Sequence, residues 1–340
     1  MVAVAVLVLA TGATYAADVF NMPAGLTSLT FVPVDNAGNG NDTTNYGAVA
    51  YDYWMGTFEI TAAQYSEFLN GVAKTDTYQL WIADMADVST HGGCGIQRGG
   101  TSGNYYYAVA TIYANRPVNW VTWGNAARFA NWLTNGQPTT GVQDLTTTED
   151  GSYFLNGTTS YETVTRKTDA VYVIPTQNEW YKAAYHKNDG VTSNYWDYPT
   201  GADAIPSNVL SNPNADPGNN ANFNSGGYTI GSPYWRTPVG DFENSESPYG
   251  TFDQGGNVFE YLDPVPGAPR LYQAGGAYSF SSSSMSSASF RNQVLASSSA
   301  IYGFRVATLS YGPVPEPGSL ILLLSGGVAV LFYWLRRRNA

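Results

Sequence analysis

Asn119-Trp120-Val121-Thr122 opens a stretch in which Trp123, Ala126, Ala127, Ala130 and Leu133 recur at helical spacing, and Gly136 supplies a stop for the helix. Upstream, Thr61-Ala62-Ala63-Gln64 reads as a capping box that starts another helix, with Tyr65, Phe68, Leu69 and Val72 on one face and Gly71 near its end. Downstream, Thr176-Gln177-Asn178-Glu179 repeats the box and starts a third helix. Between these helices lie short strands and turns rich in Tyr, Gly and Asn, such as Tyr172-Val173-Ile174 and Gly303-Phe304-Arg305-Val306-Ala307. The pattern predicts one irregular α+β domain over residues 22–311. Asn/Gly-rich stretches at 36–45 and 212–227 read as long surface loops, and neither an internal repeat nor a compositional linker divides the chain.

Composition narrows the chemistry. The chain has 340 residues, 44% apolar and 14% aromatic, enough to bury a sizeable core. Only 12% of residues are charged and the formal balance is -11, so neither nucleic acid nor an anionic membrane surface is an expected partner. Cys94 is the only cysteine, so no disulfide forms within the chain and any mechanism needing two thiolates from one chain is excluded.

Both ends carry addresses rather than fold. The apolar run Val2 to Ala10, followed by Thr14-Tyr15-Ala16, reads as a signal peptide over 1–17 cut near Ala16 or Ala17. Export signals ordinarily open with Lys or Arg, so the opening Met1-Val2-Ala3 points to a true start upstream. At the other end, Val314-Pro315-Glu316-Pro317-Gly318 precedes an apolar segment at 319–335 and then Arg336, Arg337 and Arg338. About 17 apolar residues just cross a bilayer core as a helix, and the arginines hold its end in the cytoplasm. The span 314–338 resembles a PEP-CTERM sorting signal. That resemblance implies export, a transient inner-membrane anchor, and an exosortase that cuts near Pro-Glu-Pro and releases or re-anchors the protein at the surface. A permanent single-span anchor is the plainer alternative.

A series of ordered motifs fills the domain. Met55-Gly56-Thr57-Phe58-Glu59-Ile60-Thr61 is followed by Arg116-Pro117-Val118-Asn119-Trp120-Val121, Ile174-Pro175-Thr176, Glu179-Trp180 and Thr237-Pro238-Val239-Gly240. Then come Gly256-Asn257-Val258-Phe259-Glu260-Tyr261, Gly275-Gly276-Ala277-Tyr278, Phe290-Arg291 and Gly303-Phe304-Arg305. Together they resemble the formylglycine-generating enzyme, or sulfatase-modifying factor, family over roughly 31–307. The resemblance implies a C-type-lectin-like α+β fold with little regular secondary structure.

Active relatives bind copper through two cysteines shortly after the Gly-Gly-Ser-Tyr-like motif. Here that segment reads Ser279-Phe280-Ser281-Ser282-Ser283-Ser284-Met285, whose hydroxyls are poor ligands for a soft cuprous ion. Copper is not expected, and no residue is assigned a catalytic role. His91 and Cys94 stand close in sequence, but a single pair leaves a metal short of ligands. His186, which closes the third helix, is the only other histidine.

The resemblance also implies a structural calcium ion, held by Asp253 and Glu260 with the carbonyls of Gly256 and Val258, hard oxygen donors in a tight Gly-Gly turn. The alternative for Glu260 is a partly buried carboxylate bonded to backbone amides. A second calcium position at Asn222 and Phe223 matches the pattern poorly. The expected function is an exported, non-catalytic surface or matrix protein that contacts polysaccharide or surface proteins, with Tyr105-Tyr106-Tyr107 and Tyr195-Trp196 as candidate contacts. Its expected partners are the export machinery and exosortase, with the membrane met only through the C-terminal helix. The rival is a metal- or oxygen-dependent enzyme built from residues other than the missing cysteines.

Overall fold

A computed structural model of the protein describes residues 20–90, 92–210, 218–294 and 297–309. The segment 1–17 read as a signal peptide, His91 and the sorting tail at 314–338, with Pro315, Glu316, Pro317 and Arg336 to Arg338, lie outside the described residues. In chain order the elements are β1 (Phe31–Val34), β2 (Tyr53–Gly56), α1 (Ala62–Val72), β3 (Ile96–Gly99), β4 (Tyr106–Val109), α2 (Thr111–Ala114) and α3 (Trp123–Thr134). They continue with β5 (Tyr172–Val173), α4 (Gln177–Tyr185), β6 (Phe259–Leu262), β7 (Leu271–Ala274), β8 (Arg291–Val294), β9 (Tyr302–Gly303) and β10 (Ala307–Thr308). This is an α+β domain with long irregular connections. No helix among the described residues is long and apolar enough to cross a membrane.

The three long helices start where the capping chemistry places them. Thr61 accepts from the Gln64 amide at 3.2 Å while Gln64 Oε1 accepts from the Thr61 amide at 3.0 Å. Thr176 and Glu179 do the same for α4. Helix α3 carries a third box that the sequence pattern did not announce: Thr122 with Asn125, an amide standing where Gln or Glu is the usual partner. Each box satisfies amides that the first turn leaves without partners.

Helices α1 and α3 share an aromatic layer. Phe68 lies 5.3 Å from both Phe129 and Trp132, and Phe129 lies 5.5 Å from Phe304. Edge-on and tilted contacts of this kind add to the stabilisation that burial alone gives. Trp180, Tyr181 and Tyr185 of α4 pack against Leu262, Ala274 and Phe290 in a second cluster.

Two four-stranded sheets flank these clusters, in the orders β1-β2-β10-β5 and β8-β7-β6-β9, and β3 and β4 form a separate hairpin. The stretch Gly303–Ala307, which reads as one strand, is divided. Gly303 pairs in parallel with Glu260 of β6, Ala307 pairs with Met55 of β2, and Arg305 lies between the two sheets. Its fully buried side chain explains the break, because the guanidinium is needed at the junction.

Candidate functional site

The junction is organised by Arg305. Its Nε donates to Glu260 Oε2 at 2.6 Å and its Nη2 to Glu260 Oε1 at 2.7 Å, a bidentate buried pair. The remaining donors reach the carbonyls of Gly56 at 2.9 Å and Phe252 at 2.7 Å, so one side chain ties β2, β6 and the loop before Gly256 together. Trp180 Nε1 donates to Glu260 Oε2 at 2.7 Å. Both oxygens of Glu260 are therefore engaged, by an arginine and an indole rather than by backbone amides.

The loop 253–257 turns tightly. Asp253, Gly256 and Asn257 all have left-handed backbones, with φ of 57°, 92° and 50°. Asp and Asn tolerate this conformation, while at Gly256 a Cβ would also land on the carbonyl oxygen of Asn222. Asp253 Oδ2 accepts from the Gly240 amide at 2.6 Å, and burial pushes this carboxyl up to about 6. Asp253 also lines a cavity of about 10 Å³ with Thr200, Ser245 and Gln254, roughly the room of one water.

Asn222 and Phe223, read as a second and separate position, come to the same loop. Asn222 bridges Gly256, its carbonyl accepts from the Asn257 amide at 2.9 Å, and its Nδ2 donates to Asn257 Oδ1 at 2.8 Å. The Phe223 carbonyl is already taken by Asn208 and Thr229. Asn222 Oδ1 is buried without a partner.

Glu59 stands inside the Met55–Thr61 motif. It sits between the end of β2 and the cap of α1, is 1% exposed, and neither carboxylate oxygen has a hydrogen-bond partner. Burial raises its pKa well above the ordinary value, and the negative charges of Asp253 and Glu260 raise it further. Among the described residues no group of three or more His, Cys, Asp or Glu side chains converges as a ready metal site. The four residues implied for calcium thus fit an ion only in part: Glu260 is engaged by Arg305, whereas the orphaned acid is Glu59.

The aromatic candidates separate into structural and surface groups. Tyr107 is buried and donates to the Ala73 carbonyl at 2.9 Å, whereas Tyr106 is 61% exposed. Tyr105 covers one side of the Arg98 guanidinium at 4.3 Å while Trp81 covers it at 4.1 Å. Tyr195 donates to the Gly40 carbonyl at 2.8 Å and fixes an internal loop. Trp196, its neighbour, lines an open groove of about 620 Å³ with Thr200, Asn244, Glu246, Pro248 and Tyr249, and carries the Lys187 ammonium 3.8 Å from its ring centroid. A second groove of about 730 Å³ is lined by Phe154, Thr158, Thr163 and Lys167, but the charged ends of its Arg166 and Lys167 are engaged by Glu179 and Asp150.

Cys94 and His186 have different surroundings. Cys94 is buried and burial pushes its thiol up. His186 Nδ1 lies 2.8 Å from the Tyr249 hydroxyl, and burial lowers its pKa. In the segment where active relatives carry cysteines, Phe280 stands edge-on to Phe259 at 4.9 Å.

An α+β domain of this motif order, with a Gly-Asn-Val loop locked onto a Glu–Arg pair, defines a class, and sequence comparison supplies the family. The chain belongs to the sulfatase-modifying factor enzyme 1-like domain family, matched over residues 15–309. A PEP-CTERM protein-sorting motif matches 313–338 and implies export, handling by an exosortase and anchoring through the C-terminus. Solved structures with similarity include CarF, at 18% identity and TM-score 0.45, covering 82% of this chain and 98% of that one. Treponema denticola variable protein 1 matches at 15% identity and TM-score 0.48, covering 84% and 96%. PvdO from Pseudomonas aeruginosa matches at 14% and 0.41, covering 84% and 95%. No curated protein matches the sequence.

Proposed function

We propose that the protein is an exported, non-catalytic carbohydrate-binding domain, delivered to the cell surface by its sorting tail and binding a neutral polysaccharide of the extracellular layer. The Trp196 groove carries this reading. An indole offers a flat apolar face to the C–H side of a sugar ring, while Thr200, Asn244 and Glu246 offer hydroxyl, amide and carboxylate groups to sugar hydroxyls. A volume of about 620 Å³ is within the range of ligand sites, and an open groove suits a polymer that enters and leaves along its length. The formal charge of -11 and the exposed Glu246 disfavour an acidic polymer. The rival enzymatic reading needs clustered His, Cys or carboxylate groups in a pocket; Cys94 and His186 each have other neighbours, and no such cluster lines either groove.

The reading is tested by titrating the full chain in detergent with neutral and acidic fractions of the producing cell's own extracellular polysaccharide. Saturable binding confined to the neutral fraction is expected. Binding to neither fraction would refute a carbohydrate ligand and move the weight to a protein-binding surface.

A further inference from the structure

Two asparagines are followed at the second position by Ser or Thr, with no proline between: Asn41-Asp42-Thr43 and Asn156-Gly157-Thr158. In an exported chain this spacing is the acceptor pattern for an N-linked sugar, and it needs an asparagine that the fold leaves free at the surface. Asn41 is tied into its loop, where its Oδ1 accepts from the Ala48 amide at 3.0 Å. The Asn156 side chain is exposed, and among the described residues no hydrogen bond holds it.

The turn that presents Asn156 is held firmly. The Thr158 amide donates to the Leu155 carbonyl at 2.9 Å across Asn156 and Gly157, whose φ values of 44° and 78° are both left-handed, as in the tight turns of hairpins. Glu149 anchors this turn. Its carbonyl accepts from the Leu155 amide at 2.8 Å, its Oε2 accepts from the Gly157 amide at 2.7 Å, and Arg128 locks its carboxylate at 2.6 Å. Phe154 and Thr158, on either side of the turn, both line the open groove of about 730 Å³. The Phe154 ring is 55% exposed, a large apolar surface left to water, and Thr163, Thr165 and Thr168 bring hydroxyl groups to the same groove. A ring face beside hydroxyls suits the C–H face and the hydroxyls of a sugar. A sugar attached between residues 154 and 158 is kept beside that ring at high effective concentration, so even a weak contact is made.

We propose that Asn156 carries an N-linked sugar whose first ring lies on Phe154 in this groove. Transfer joins the anomeric carbon of the sugar to Asn156 Nδ2, breaks the bond from that carbon to the diphosphate of an activated donor, and passes one amide proton to the base of the transferase. Nothing is oxidised or reduced. The sugar covers the exposed ring and adds a solubilising surface to a chain in which only 12% of residues are charged. This acceptor site and the Trp196 groove are lined by different residues, so failure of either reading leaves the other standing.

The test is mass analysis of the full chain isolated in detergent from the envelope of the producing cell, with the tryptic fragment 129–166 sequenced by fragmentation. A hexose or hexosamine increment localised to Asn156 is expected, lost in Thr158→Ala and kept in Thr158→Ser, which preserves the hydroxyl at the second position. An unmodified wild-type fragment overturns the proposal. So does an increment that persists in Thr158→Ala, which places the sugar on a hydroxyl instead. The contact with the ring is read from melting: enzymatic removal of the sugar is expected to lower the melting temperature of wild type and to leave that of Phe154→Ala unchanged. Equal shifts in the two proteins overturn the placement on Phe154.

Discussion

Replacing Glu260 with Gln tests the junction that joins the two sheets. The substitution keeps the shape of the side chain but removes the charge that two Arg305 nitrogens and the Trp180 indole all address. A Gln amide has one acceptor oxygen for three donors, and its own NH2 faces a guanidinium. Arg305 is then a fully buried cation without a counter-charge, which costs about 3–5 kcal/mol. Domains are stable by roughly 5–15 kcal/mol, so about a fifth or more of the total is at stake. For a domain of this size that is a fall in melting temperature of roughly 5–8 °C. Urea unfolding followed through the buried tryptophans measures it directly. Adding Arg305→Met to Glu260→Gln should recover part of the loss, since an apolar replacement leaves no unpaired charge. A loss below about 1 kcal/mol for the single variant, or a double variant worse than the sum of its parts, would refute the assignment of this pair as the lock.

Gly256→Ala should destabilise the domain by more than the usual surface change, because its Cβ meets the Asn222 carbonyl in a backbone already at positive φ; wild-type melting of this variant would contradict the tight turn. Lys182 is buried and donates to the Asn36 carbonyl at 3.0 Å, and burial lowers its pKa to about 8 against the pull of Asp52 and Asp35. Because the unfolded chain then binds more protons than the folded one between about pH 8 and the ordinary lysine value, wild-type stability should rise over that window relative to Lys182→Met. A stability difference between the two proteins that stays flat from pH 7 to pH 10 would show that this ammonium is not strained by burial.

Local signals in the sequence carry most of the helical framework. Two capping boxes and one apolar stripe mark α1, α3 and α4, because a cap is a short-range hydrogen-bond pattern that the residues themselves spell out. The ordered motifs carry the family. What depends on distant partners is not spelled out. Gly303–Ala307 looks like one strand because its alternation is local, while the break at Arg305 follows from Glu260, 45 residues away. The roles of Tyr195 and Trp196 diverge although they are adjacent, since one turns inward to Gly40 and the other lines a groove built by residues near 244–250. Glu59 does leave a mark in the sequence: an acid between a β-rich motif and a helix cap, in a segment otherwise wholly apolar or small, is an unusual place for a charge.

The most direct test of the carbohydrate-binding account is the affinity of the wild-type chain and of Trp196→Ala for the neutral polysaccharide fraction, measured together with their melting temperatures. The account predicts saturable wild-type binding that falls about tenfold, or ~1.4 kcal/mol, in Trp196→Ala while melting stays nearly unchanged. Equal affinities for the two proteins would place any sugar contact elsewhere and contradict the account.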